Sequence, residues 1–268
     1  MAQDVIQVTL FTLADLRRPD ALRALGEELD RHALLAPKRL DTRDPVRAEI
    51  ENAATALAEL ASGLAPDQHQ WVFFTRPGAP RLTGTLHLKP SDTTTDLTIS
   101  WPASWFDRPE RLDALAGVVT ALGDTIGAMY GRAALGEMYT QRNDALNRAR
   151  RKPGQFSVRV KPDFDRELPD VYWLNYFGPG FVEHWGARLD TLGVRRDRTP
   201  AGAMVVWATE TPFVHDASVH AISDYAFKRP FYEALGFDTF MSETQRQGAP
   251  GEHVPALDVH RRLAVGGG

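Results

Sequence analysis

Three apolar runs between residues 71 and 101 are joined only by short polar turns, with no helical period between them. Trp71 to Phe74 is a compact apolar run, followed by a Pro77-Gly78 turn. Leu82, Leu86 and Leu88 then recur at even spacing, and Leu97, Ile99 and Trp101 continue the alternation. A period of two sends these side chains to one face of a strand. Parallel neighbours need a crossover of a dozen or more residues, so strands joined this closely pair antiparallel. The block predicts an antiparallel meander with one buried and one wet face. Ile6, Val8 and Leu10 alternate in the same way and predict a further half-buried strand.

Helical spacing brackets these strands. Pro19 suits a first helical turn, with Leu22, Leu25 and Leu29 on one face. Asp44 and Pro45 predict the N-cap and first residue of a second helix carrying Val46, Ile50, Ala53, Leu57 and Leu60. Asp107 and Glu110 read as a capping pair. Leu112, Leu115, Val119, Leu122, Ile126 and Met129 follow at spacings of three and four, a stripe suited to packing on the sheet. Gly131 and Gly136 fall inside that helix or near its end.

The polar, basic segment NDALNRARRKPG ends at Pro153-Gly154 and predicts a boundary. Beyond it, Phe156, Val158 and Val160 alternate as a strand, and Val171 to Asn175 predicts another. Gly178-Pro179-Gly180 breaks the chain before a helix with Phe181, Trp185, Leu189 and Leu192 on one side and Gly193 at its end. Ala203 to Ala208 reads as a buried strand, and Phe227, Phe231 and Leu235 as a last helix stopping at Gly236. The expected fold class is α+β, with antiparallel sheets covered by helices. One domain over residues 1–268 is expected, and its halves, 1–150 and 151–268, share a strands-plus-helix order that a duplicated unit would show.

Charge and composition narrow the function classes. The net charge is −4, without the basic excess that non-specific phosphate binding needs, so no nucleic-acid partner is expected. The absence of cysteine removes disulfides, thiolate nucleophiles and cysteine metal sites, and fits a reducing compartment. Asp4 and Gln7 interrupt the first apolar stretch and no positive region precedes it, unlike a secretory signal. No apolar run approaches the ~20 residues of a membrane span. A cytoplasmic protein without a membrane partner is expected.

The chemistry-bearing residues form no complete motif. The eight histidines include no HExxH and no HxxxH pair on a helix. The densest group, His215-Asp216 with His220 and Asp224, offers two ligands with a third required from afar, and neither metal nor cofactor is expected. Glu183 and His184 open the helix after GPG, where catalytic groups often sit. Adjacent helical residues point about 100° apart, so the two do not converge on one atom. GxSxG, GxGxxG and GxxxxGK[ST] are all absent, and no catalytic residue is assigned. Arg148, Arg150, Arg151 and Lys152 form one basic group and Arg195, Arg196 and Arg198 another, suited to solvated loops or to docking an acidic partner.

The residue that stands out is aromatic. Tyr172, Trp173, Tyr176, Phe177, Phe181 and Trp185 fall in the stretch YWLNYFGPGFVEHWG at 172–186. Such rings either build a strand–turn–helix junction in the core or reach the surface as anchors for a partner. In the second case Tyr176, Phe177, Glu183, His184 and Trp185 are the candidate contact residues.

The run VYWLNYFG…VE.WG, with the later PAGAMVVWATETP, resembles the C-terminal half of bacterial toxin-immunity proteins, in particular the type VI immunity family and its relatives in polymorphic-toxin systems. Trp173 to Phe177 stand on the first matching element, Gly186 on the helix, and Val205, Val206 and Pro212 on the second strand and turn. The resemblance spans residues 165–240. It implies a non-enzymatic protein that binds and neutralises a cognate secreted toxin, and it supplies no catalytic residues. Two other readings stay open: a hydrolase or transferase using Glu183, His184, His215 or His220, and a self-associating structural protein of a mobile element.

Overall fold

The N-terminal strand is central. In the computed structural model, which describes residues 4–65, 69–89, 94–150, 164, 168–213, 226–236 and 239–240, β1 (Val5–Thr12) pairs antiparallel with two neighbours. On one side lies β5 (Thr95–Pro102) and on the other β6 (Ala128–Leu135). Outward from β5 the meander continues through β4 (Leu82–Leu88) and β3 (Gln70–Arg76) to a short edge strand, β2 (Arg39–Asp41). Outward from β6 come β7 (Leu174–Phe177), β9 (Met204–Trp207) and the other edge, β8 (Arg196–Arg198). The described strands thus form one nine-stranded sheet in which every pairing is antiparallel.

Helices cover the sheet unequally. The first face carries Ile6, Val8 and Leu10, Val72 and Phe74, Leu97, Ile99 and Trp101, then Leu174, Tyr176 and Val205. It shares one core with α1 (Pro19–Arg31), α2 (Ala53–Ala61) and α3 (Pro109–Thr125). The second face carries Phe11, Tyr130, Phe177, Met204 and Val206, packed with α5 (Pro179–Leu189) and α6 (Arg229–Leu235). Between them α4 (Gly136–Arg150) lies against β1 and β6. The β3–β5 part of this second face stays wet, as the meander pattern predicts: Phe73, Thr85, Thr98 and Ser100 are half-buried and Trp71 is 38% exposed.

Both edges are short and charged, Arg-Leu-Asp on β2 and Arg-Asp-Arg on β8. Such edges discourage strand addition by another chain. Arg195, Arg196 and Arg198 therefore belong to an ion-paired edge rather than a free basic loop: Arg195 reaches Asp113 at 2.7 Å, and Arg196 and Arg198 reach Asp190 at 3.2 and 2.8 Å.

Several local expectations need correction. Residues 48–50 do not continue a helix from Pro45. They run extended beside β2, with Leu40 N–H donating to Ala48 O and Ile50 N–H to Lys38 O, and α2 starts only at Ala53. Its cap comes from Asn52, and Asp30 on α1 accepts from the N–H groups of Ala53 and Ala54 at 2.8 and 3.1 Å. Asp107 does not cap α3. Arg108 occupies the N-cap position, and the Asp107 carboxylate accepts from Arg111 at 2.8 Å instead. The α3 stripe stops before Met129, because Gly127 at φ 57° turns the chain into β6. Gly131 is thus a strand residue, and small residues there let Leu10 and Tyr176 close over the backbone. Finally, residues 143–150 are helical, and the strand expected at Val171 to Asn175 forms at Leu174–Phe177. The strand expected at Phe156 to Val160 and the boundary at Pro153-Gly154 lie outside the described residues.

Candidate functional site

The aromatic stretch splits between interior and surface. Tyr176, Phe177 and Trp185 are at most 3% exposed, while Glu183 and His184 stand on the exposed side of α5. Alternation on β7 sends Tyr176 to the first face and Phe177 to the second, where both faces are covered. Tyr176 donates its hydroxyl to Asp124 on α3 at 2.8 Å. Burial and the Asp124 carboxylate raise its pKa well above the ordinary tyrosine value. Phe181 and Trp185, one helical turn apart, stack at 5.3 Å with an interplanar angle of 6°. The rings expected as anchors therefore build the strand–turn–helix junction, and the surface of this segment is left to Glu183 and His184. Partial burial, then the nearby Arg188 guanidinium, hold His184 below its ordinary pKa, which favours the neutral imidazole.

The densest polar constellation is one that the sequence motifs did not reveal. Asp170, just before β7, is buried, as are Lys228 and Arg142 around it. Its Oδ2 accepts from Lys228 at 2.6 Å and lies 3.0 Å from Arg142 Nε on α4. Its Oδ1 accepts from the Tyr232 hydroxyl and the Val171 N–H, each at 2.7 Å. Tyr130 on β6 donates to the Asp170 backbone carbonyl at 2.8 Å. The Asn175 side chain closes the neighbouring turn, accepting from Tyr172 N–H at 3.0 Å and donating to Tyr172 O at 2.7 Å.

The electrostatics of this node are those of a structural tie. Burial opposes the Asp170 charge, but Lys228 and Arg142 outweigh it and hold the carboxyl below the usual range. An ionised carboxylate has about four acceptor sites; here three hydrogen bonds are accepted and the Arg142 guanidinium lies alongside as an ion pair. It therefore has little capacity to take a proton near neutrality. Burial pushes Tyr172 up to about 12, and burial with the adjacent Asp170 raises Tyr232 further. Beside the node, Arg132 on β6 lies under two rings, 3.7 Å from the Tyr139 centroid and 4.8 Å from that of Tyr172. Cation–π contact takes the place of a carboxylate there.

A sequence signal for the node existed but was diffuse. Asp170, Lys228 and Arg142 lie 28 to 86 positions apart and match no motif, although each is a charged residue beside predicted core positions. Of the other sequence candidates, His215, Asp216, His220 and Asp224 lie outside the described residues, as do Arg151 and Lys152. Among the described residues no three His, Cys, Asp or Glu side chains gather within reach of one metal ion, and no helix is long and apolar enough to cross a membrane.

No family model and no curated protein sequence matches this chain. A solved structure, that of the Pseudomonas aeruginosa T6SS protein PA0821, is similar to it with a TM-score of 0.61 over 97% of this chain and 84% of that one. The two sequences are 17% identical over that match, so the likeness is one of fold.

Proposed function

We propose that this chain is a non-enzymatic binding protein, an immunity protein that captures and neutralises a cognate toxin delivered by a type VI secretion system. The observation that carries this reading is the fold shared, nearly end to end, with a T6SS protein. The immunity-type sequence resemblance adds to it. That resemblance falls on β7, α5 and β9, which are contiguous in the sheet or packed on it. The chemistry of the interior also suits a binder. The buried carboxylate of Asp170 is held by its own neighbours through three hydrogen bonds and two ion pairs, which favours rigidity over turnover.

Within this reading, the exposed side of α5 with Glu183 and His184 is part of the toxin-binding surface, resting on a helix locked from below by Phe181 and Trp185. A preorganised helix keeps the entropic cost of association low. The test is co-expression with the secreted toxin encoded beside it. A stable complex and restored growth are expected. Neither complex nor rescue with any toxin encoded next to the gene would sink the reading.

A further inference from the structure

Strand register brings a second group of side chains together on the wet half of the second face. Trp71 on β3 is the cross-strand partner of His87 on β4, and His87 is the partner of Asp96 on β5. Directly paired residues share a face, so the indole, the imidazole and the carboxylate form one row across three strands. His69 precedes Trp71 by two positions and so comes to the same side.

The row fixes the rings. Trp71 stacks on His87 with centroids 3.8 Å apart and planes within 11°. The His69 Nδ1 and His87 Nε2 atoms then face each other at 3.2 Å, with ring centroids 5.3 Å apart. On the opposite side of the same imidazole, His87 Nδ1 lies 3.9 Å from Asp96 Oδ2. Lys89 holds the other oxygen of Asp96 at 2.8 Å.

We infer that His69 and His87 form a two-imidazole site for a late divalent transition metal, Zn²⁺, Ni²⁺ or Cu²⁺. A tetrahedral ion bonded at about 2.0–2.1 Å to two imidazole nitrogens sets those nitrogens about 3.3 Å apart, close to the separation found. Imidazole is a preferred ligand of these ions. A metal-bound histidine commonly presents its second nitrogen to a carboxylate, which fixes the ring and raises its basicity. Asp96 stands on that side of His87, at 3.9 Å in ion-pair range and one small ring shift from a hydrogen bond. The exposed His69 gives the ion a route in, and water completes the coordination. Without metal, the same two nitrogens share one proton. The site is independent of toxin binding.

The test is calorimetric titration of the untagged full-length protein with Ni²⁺ or Zn²⁺, and with Cu²⁺ while following tryptophan fluorescence. One saturable site is expected, with Cu²⁺ quenching that Trp71→Phe diminishes while binding persists. His69→Ala, at an exposed position, is expected to weaken binding by more than the about 10- to 100-fold that loss of a supporting group costs, and Asp96→Asn by about that factor. A wild-type protein without saturable binding, or a His69→Ala protein that binds as tightly as the wild type, overturns the site. Circular dichroism of each variant shows that the fold is retained.

Discussion

The Lys228 ammonium stands 2.6 Å from the Asp170 carboxylate, and neither side chain reaches solvent. Asp170 precedes β7 and Lys228 precedes α6, so the pair joins two parts of the chain 58 positions apart. Breaking a buried pair by removing one partner costs about 3–5 kcal/mol, because the other charge is left uncompensated. Lys228→Met and Asp170→Ala are each expected to lower the unfolding free energy by about that amount in urea titration. A loss under about 1 kcal/mol would show that water relaxes around the remaining charge.

The same carboxyl makes stability depend on acid. Its folded pKa lies below the ordinary value of 3.8, so the unfolded chain binds the proton more readily. The contribution is therefore full above the unfolded pKa and is lost as the pH falls through the folded one. Wild-type stability is expected to drop steeply below about pH 4. Asp170→Asn, less stable at pH 7, should show a shallower drop, read from chemical denaturation between pH 3 and 7.

At alkaline pH the tyrosines act in the opposite direction. Tyr172 is raised by burial to about 12, against an ordinary value of 10.0. Between those values the unfolded chain has released the proton and the folded one has not, so stability falls as pH rises from about 10. Tyr130, Tyr176 and Tyr232 are shifted the same way. Tyr139 goes the other way, its burial outweighed by the Arg132 guanidinium and by hydrogen bonds with Asn143 and Arg132, so only the phenolate absorbance of the four raised tyrosines should appear late and together with unfolding. A smooth titration of all of them near pH 10 in the folded protein would contradict this.

Gly26 sets a competition between propensity and packing. Alanine is preferred over glycine in a helix by about 1 kcal/mol. A methyl group at Gly26, however, would collide with the Ala54 backbone, and α1 and α2 pack along this line. Backbone cannot swing aside as a side-chain tip can, and overpacking costs about 1–3 kcal/mol. Gly26→Ala is expected to lower the melting temperature despite its better propensity.

On α5 the two kinds of position separate. Trp185→Ala removes a buried ring and should cost about 3–5 kcal/mol of stability. Glu183→Lys with His184→Ala, both on the exposed side, should leave stability within about 0.5 kcal/mol. Only the second variant should lose toxin affinity with an unchanged melting curve. Unaltered affinity would move the contact surface elsewhere.

Periodicity carried much of this fold. The meander of β3, β4 and β5, the strand β1, the α1 face and the α5 face all follow from spacings of two or of three and four, because burial of one face acts on each element separately. β6 escaped for a physical reason. Its residues Ala128 to Leu135 are buried almost throughout and include Gly131, so no alternation marks the strand, and the α3 stripe runs on into it. The start of α2 escaped because backbone bonds to β2, not local propensity, hold residues 48–50 extended.

By itself, then, the sequence determined the fold class, the antiparallel pairing of the meander and the missing catalytic motifs. These depend on local spacing and residue type. Only the tertiary structure decided that Tyr176, Phe177 and Trp185 are interior while Glu183 and His184 are not, since a ring buries itself in a core or at an interface by the same free energy. It likewise decided that Asp170 meets Lys228 and Arg142, and that His69 meets His87. Those meetings depend on strand register and helix placement, and residues far apart in the chain carry no mark of their partners.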